Sequence, residues 1–303
     1  MSLLAVGSVA FDDLETPSGR RENVLGGSAT YFSLSASHFT PVAIVAVVGE
    51  DFGPEQMKVF EGKPIDLQGL DRAKGKSFRW KGAYGQDLNT ATTLDTQLNV
   101  FADFHPNLPE ATRRCPFLFL GNIAPGLQLN VVNQMAQRPR WIALDTMNFW
   151  IEGDREALFE VLKAIDILLV NEAEARAISG ERNLVKACRA IQTLGPRIVV
   201  VKRGEYGAVL AAPEGLFMAP AYPLEDVCDP TGAGDTFAGG FLGHLASTGS
   251  LSLEDLKEAL LRGTVMASFT VEAFGTERLA AVTQAQIQER LAAFKAMIRP
   301  SGI

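Results

Sequence analysis

Six short, unbroken apolar runs constrain the fold of this chain more than any other feature. They occupy 3–6, 42–48, 116–120, 141–144, 167–170 and 198–201, and are rich in Val, Ile and Leu without alternating polarity. A strand that shows neither face to water has to be covered on both sides, as in a parallel sheet between helical layers. Between these runs, 28–38, 127–138, 183–194 and 256–271 carry helical spacing; in the last, Leu256, Leu260, Ala267 and Val271 fall near one face. The pattern predicts an α/β protein with a doubly wound, mainly parallel sheet.

One stretch departs from this order. From 75 to 103 the chain alternates in short pieces, Ser77-Phe78-Arg79-Trp80-Lys81 and then 90–100, rich in Thr, Val and aromatics. Such pieces favour antiparallel strands with one solvated face, so a small β-lid is expected over the core. Trp80, Tyr84, Phe101 and Phe104 supply aromatic surface that either covers a ligand or glues the lid down.

Charge and cysteine usage exclude several classes. The 303 residues hold 28 Lys and Arg against 35 Asp and Glu, a formal net charge of -7, and no basic cluster suits a nucleic acid. Cys115, Cys188 and Cys228 are odd in number and lack CxxC spacing, which argues for core thiols rather than disulfides or zinc. The first residues lack the pattern of an export signal, and the apolar run at 41–48 is too short to cross a bilayer. A cytoplasmic protein without membrane or nucleic-acid partners is expected.

The chemistry concentrates in Asp229-Pro230-Thr231-Gly232-Ala233-Gly234-Asp235-Thr236-Phe237. Pro230 and two glycines make a turn, and Phe237, Phe241 and Leu245 then open an apolar helical face. Unpaired N–H groups at such a helix start can cradle phosphate or a developing oxyanion. Asp235 lies in this first turn, either as a favourable helix-start carboxylate or as the base that orients an acceptor hydroxyl. Gly75-Lys76-Ser77 imitates the end of a Walker A loop, but Gly69 is one residue too far away. His38, His105 and His244 are isolated and support neither a triad nor a metal cluster.

The segment Asp229, Thr231, Gly232, Ala233, Gly234, Asp235 resembles the second signature of the ribokinase-like (PfkB) carbohydrate kinases, with Pro230 where the family commonly has Thr. The resemblance implies a three-layer α/β/α sandwich with a mainly parallel central sheet, a lid from about 13–24 and 72–104, and a core from 1–12, 25–71 and 105–303. It makes Asp235 the catalytic base, and the Gly232, Ala233 and Gly234 amides an anion hole. Asp12 after the first strand, the paired glycines Gly26 and Gly27, and Tyr31, where many members carry Asn, become substrate-site candidates. Asp145 and Asn148 join them on other grounds, because they follow a strand end where open α/β sheets bind ligands. The Val48-to-Gly53 segment resembles the family's Gly-x-Asp-x-x-Gly turn, with one residue fewer between Asp51 and Gly53.

Asn171 and Glu174 resemble the family's Asn-x-x-Glu motif near the phosphates and the magnesium water shell, and also have the spacing of a helix capping pair. Lys202, Arg203, Gly204 and Gly207 resemble its turn beside the nucleotide, and Thr231 is a further nucleotide candidate. The expected cofactors are ATP and Mg²⁺, with a monovalent cation such as K⁺ near Asp229. The expected activity is ATP-dependent phosphorylation of a sugar's primary hydroxyl. A nucleoside is the alternative acceptor, its base stacked by Phe11, Trp80, Tyr84 or Phe149; a non-catalytic ligand-binding regulator is the remote one. The resemblance also carries an expectation of homodimerisation through the lid.

Overall fold

The structure is a computed structural model and describes residues 3–299. Its strands, numbered along the chain, are β1 Leu3–Val6, β2 Ala10–Thr16, β3 Gly19–Gly26, β4 Val42–Val48, β5 Ile65–Arg72, β6 Phe78–Tyr84, β7 Ala91–Gln97, β8 Phe117–Leu120, β9 Trp141–Asp145, β10 Ile167–Asn171, β11 Ile198–Lys202, β12 Ala208–Ala212 and β13 Gly215–Ala219. Nine form one sheet in the order β13-β12-β11-β10-β9-β8-β1-β4-β5, and four form a second in the order β3-β2-β6-β7.

All six apolar runs are strands of the large sheet, and they pair in parallel with one another. Odd and even positions along them feed two separate cores. On one face Phe32 stacks on Phe119 at 4.0 Å between ring centroids, beneath the helices Ser28–Ala36, Ala233–Thr248 and Leu253–Thr270. On the other, Leu118, Leu144, Leu168 and Val201 meet side chains from Pro125–Gln134, Arg155–Ala164, Glu172–Ser179 and Leu184–Gln192. Helix layers therefore cover both faces, as the absence of alternation requires. Cys115 and Cys188 are buried thiols, and Cys228 is half-buried. No helix among the described residues is long and apolar enough to cross a membrane.

The small sheet differs from expectation in two respects. It starts at Ala10 and its second strand ends at Gly26, so Asp12, Gly26 and their neighbours belong to it rather than to the core segments 1–12 and 25–71. Its central pair, β2 and β6, runs parallel rather than antiparallel. The reason is connectivity: β2 follows β1 and β6 follows β5, two parallel-running strands of the large sheet, so both enter the small sheet in the same sense. Strands β12 and β13 add an antiparallel edge to the large sheet. Phe104 is buried with the core, and Phe101 stacks between it and Phe78 at 5.3 Å from each ring, so these aromatics glue the small sheet down.

Candidate active site

The glycine turn opens a helix as expected. Gly232 is its N-cap, in the left-handed region at φ 73°, and a Cβ there would come within 2.3 Å of the Tyr31 ring. Only glycine satisfies both the backbone angle and that close approach. Ala233 N–H donates to Pro230 O at 3.1 Å. Of the three amides expected to form an anion hole, Gly232 and Gly234 are thus those without an acceptor among the described residues, and the Ala233 amide closes the turn.

Behind this turn lies one buried ammonium among carboxylates. Lys202 ends β11, and its Nζ donates to Asp145 Oδ2, at the end of β9, at 2.7 Å. Its Nζ also lies 3.1 Å from where a Cβ on Gly234 would sit, which places positive charge against the open amides. Burial alone would lower the Lys202 pKa, but Asp145, Glu174 and Asp235 outweigh burial and hold it raised. Burial and the Asp145 charge push the Asp235 carboxyl up to about 7, against the pull of Lys202. Glu174 rises to about 7 for the same first reason, burial, with Asp145 adding to it.

Asn171 and Glu174 form a complete capping box at the start of Glu172–Ser179. Asn171 N–H donates to Glu174 Oε2 at 2.7 Å, and Glu174 N–H donates to Asn171 Oδ1 at 2.9 Å. The cap therefore holds the Glu174 carboxyl at the strand ends, within the field of Asp235 and Lys202.

The substrate-side candidates converge from the small sheet. Asp12 is buried, with its carboxylate directly over Gly26, and burial followed by Asp229, Asp235 and Asp13 holds its pKa well above the usual range. Gly27 caps the helix Ser28–Ala36, which carries Tyr31 inward. The Tyr31 hydroxyl is buried and has no hydrogen-bond partner among the described residues. Asp229 is fully buried and ties the loop, accepting from Thr231 N–H and Gly275 N–H at 2.9 Å each. In the Val48-to-Gly53 segment, Asp51 accepts from Ser77 N–H and Oγ and pairs with Arg79, anchoring the small sheet.

Two candidates lie elsewhere. Asn148 is exposed at the start of the helix Asn148–Gly153, outside the buried cluster. Arg203 follows the last residue of β11, pairs with Glu172 at 2.6 Å and lines a cavity of about 610 Å³ with Arg176 and Arg182. Gly204 and Gly207 shape the β11–β12 turn. Two contacts had no signal in the sequence, because each joins residues more than a hundred positions apart. Thr231 Oγ1 donates to the Tyr84 hydroxyl at 3.2 Å, and Asn89 Nδ2 donates to Glu205 Oε1 at 3.2 Å. Both bring the β6–β7 hairpin down onto the strand ends.

An ammonium beside two open amides suits a polyanion, and a carboxyl pushed up to about 7 suits the uptake of a proton from an alcohol. The sequence model of the pfkB family carbohydrate kinases matches residues 5–282. The chain belongs to that family. It is an ATP-dependent phosphotransferase with a ribokinase-like fold. The kinase is 29% identical over 249 residues to the cytidine kinase of Thermococcus kodakarensis, covering 80% of this chain and 87% of the relative. A Burkholderia thailandensis nucleoside kinase in complex with inosine superposes with a TM-score of 0.81 at 19% identity, over 99% of this chain and 100% of that one. An E. coli protein assigned as ribokinase II, in complex with ATP and Mg²⁺, superposes with a TM-score of 0.77 at 18% identity, over 96% and 99% of the two chains. These likenesses bear out the expected α/β/α fold and kinase class.

Proposed function

We propose that this kinase transfers the γ-phosphate of ATP to the primary hydroxyl of a nucleoside, with Asp235 as the base. The carrying observation is the position of Asp235 one residue beyond the open Gly234 amide and within the field of the Lys202–Asp145 pair. Between the two acceptors expected from sequence, the relatives favour the nucleoside over the free sugar, since a cytidine kinase and an inosine-bound nucleoside kinase are among them.

In this reading Asp12 and Tyr31 face the sugar hydroxyls, and each brings an unused polar group to them: a buried carboxyl and a buried hydroxyl. Phosphoryl transfer runs through a loose transition state, so Asp235 needs only to orient the hydroxyl and accept its proton late. Its raised pKa makes it a better acceptor than an ordinary carboxylate. The Gly232 and Gly234 amides and the Lys202 ammonium stabilise charge on the transferring group; one well-aimed donor is typically worth about 3 to 4 kcal/mol. Thr231 and the Gly204–Gly207 turn border the nucleotide. Tyr84 and Asn89 hold the hairpin down and exclude water, which suppresses hydrolysis of ATP.

No group of three or more His, Cys, Asp or Glu among the described residues is placed to hold a metal ion by itself. Mg²⁺ characteristically keeps waters and phosphate oxygens as ligands, and Glu174 would hold one of its waters. Its chemistry there is neutralisation of phosphate charge. A monovalent cation near Asp229 and pairing of two copies through the lid belong to the same proposal; a potassium titration of the rate and the mass in solution test them.

An ATP-consumption screen over free pentoses, hexoses and ribonucleosides tests the acceptor. Phosphorylation of ribonucleosides is expected, and activity confined to free sugars would overturn the reading. Nucleoside binding without ADP formation would instead support a non-catalytic regulator.

A further inference from the structure

We propose that the Trp80 indole is the platform on which the substrate's nucleobase stacks, which makes it a determinant of nucleoside over free-sugar binding; this deepens the nucleoside reading and rests on it. Asp12 of β2 and Trp80 of β6 are Cα partners on neighbouring parallel strands. Partners of this kind point to the same face about 4.8 Å apart. That face is the one turned to the loop that leads into the glycine turn. Thr16, on Asp12's side of β2, donates to Cys228 O at 2.9 Å, and Tyr84, on Trp80's side of β6, meets Thr231. Asp12 and Trp80 therefore stand side by side in the cleft.

The indole is also held flat. Gly82 lies between Trp80 and Tyr84 on the same face, and a Cβ there would fall 2.0 Å from the indole's six-membered ring. The ring accordingly lies along the sheet over the Gly82 backbone. Its Nε1 donates at 3.1 Å to Thr93 Oγ1, on the β7 residue paired with Gly82. The one polar atom of the side chain is satisfied within the sheet, and the free π-face is left toward the cleft.

The other aromatic candidates are less available. Phe11 points to the opposite face of the sheet, is 4% exposed, packs on Phe52 and is covered by Arg79. Tyr84 is committed to Thr231 through its hydroxyl. Phe149 is 64% exposed on the helix after β9, edge-on to Trp150, and has no hydrogen-bonding acid beside it. Trp80 alone combines a flat, pre-set ring with an adjacent carboxyl for hydroxyls, and a ribonucleoside offers the same pair, a planar base next to a diol. Stacking accepts every base, because each has a π-face.

The test measures steady-state kinetics with cytidine and inosine, alongside tryptophan fluorescence. Trp80→Leu should raise the nucleoside KM by about 10- to 100-fold, the range expected for loss of base stacking. The KM for ATP should stay unchanged, and Trp80→Phe should recover most of the nucleoside affinity. Cytidine should quench the parent's emission, and the quench should vanish in Trp80→Phe, which leaves Trp141 and Trp150 as reporters. A nucleoside KM in Trp80→Leu within about twofold of the parent, or a quench that persists in Trp80→Phe, overturns the platform while leaving the nucleoside acceptor intact. A parent enzyme that phosphorylates free sugars and no nucleoside overturns both.

Discussion

Lys202 Nζ lies 2.7 Å from Asp145 Oδ2, and this ion pair, with side chains 17% and 7% exposed, is the electrostatic floor beneath Asp235. Breaking a buried pair by removing one partner typically costs about 3 to 5 kcal/mol, because the other charge stays behind. Lys202→Met should therefore lower unfolding stability by an amount of that order, seen in urea titration. Adding Asp145→Asn should recover much of it. Both variants should remain impaired in turnover, since the ammonium beside Gly234 is gone from each. Full stability in Lys202→Met alone would show that the pair carries no such weight.

The acid limb of turnover should follow Asp235. Its carboxyl is raised by burial and by Asp145 to about 7, and in the proposed role the ionised form is the base, so kcat should rise with pH through about 7 and then level. Lys202→Met removes the charge that pulls this pKa down, so the limb should move to higher pH. A limb that stays in place in Lys202→Met would separate the two groups.

The same shift makes a stability prediction with a definite sign. The folded pKa of about 7 lies above the unfolded value near 4, so the native state holds the extra proton between them. The favourable contribution is complete below about pH 4 and is lost as pH rises through about 7; Glu174, raised by burial, acts in the same direction. Asp235→Asn should consequently gain stability relative to the parent at pH 8 and show little gain at pH 4. Nucleotide binding should persist while transfer falls by about 10²- to 10⁴-fold, the usual share of a general base. Transfer at the parental rate in Asp235→Asn would end the base assignment.

Gly232→Ala should fail on two counts. The left-handed backbone costs a non-glycine residue about 1 to 2 kcal/mol, and the new methyl meets the Tyr31 ring at 2.3 Å. Loss of more than about 2 kcal/mol in denaturant titration, with a raised KM for ATP, is expected. The paired variant Gly232→Ala with Tyr31→Leu should regain only the steric part. Parental stability in the single variant would mean that the turn relaxes freely.

Tyr84→Phe removes the hydroxyl that receives the Thr231 hydrogen bond. A bond of this kind is worth about 0.5 to 1.5 kcal/mol, so closure of the hairpin should weaken by about 2- to 10-fold. ADP formation without acceptor should rise relative to productive transfer. An unchanged ratio would show that the contact does not govern water access.

The parallel core was legible because its cause is local. Unalternated runs such as 42–48 can be satisfied only between two layers of helices, and every such run became a strand of the large sheet. Strands β12, β13 and β5 were less legible: the first two form an edge hairpin, and Ile65–Arg72 mixes polar and apolar residues on a strand at the other edge. The lid's alternation was visible, but the parallel pairing of Asp12 with Trp80 was not, because it depends on how two distant excursions leave the large sheet.

The site divides along the same line. The bend at Gly232 and the capping box of Asn171 and Glu174 are short-range consequences of glycine, proline and polar side chains at set spacing, and the chain declares them by itself. Which acids share Lys202, which face of β11 looks inward, and which aromatic lies flat beside Asp12 are decided only when strands far apart in the chain come into register. Electrostatic coupling and stacking depend on distances of a few ångströms, and tertiary packing alone sets those.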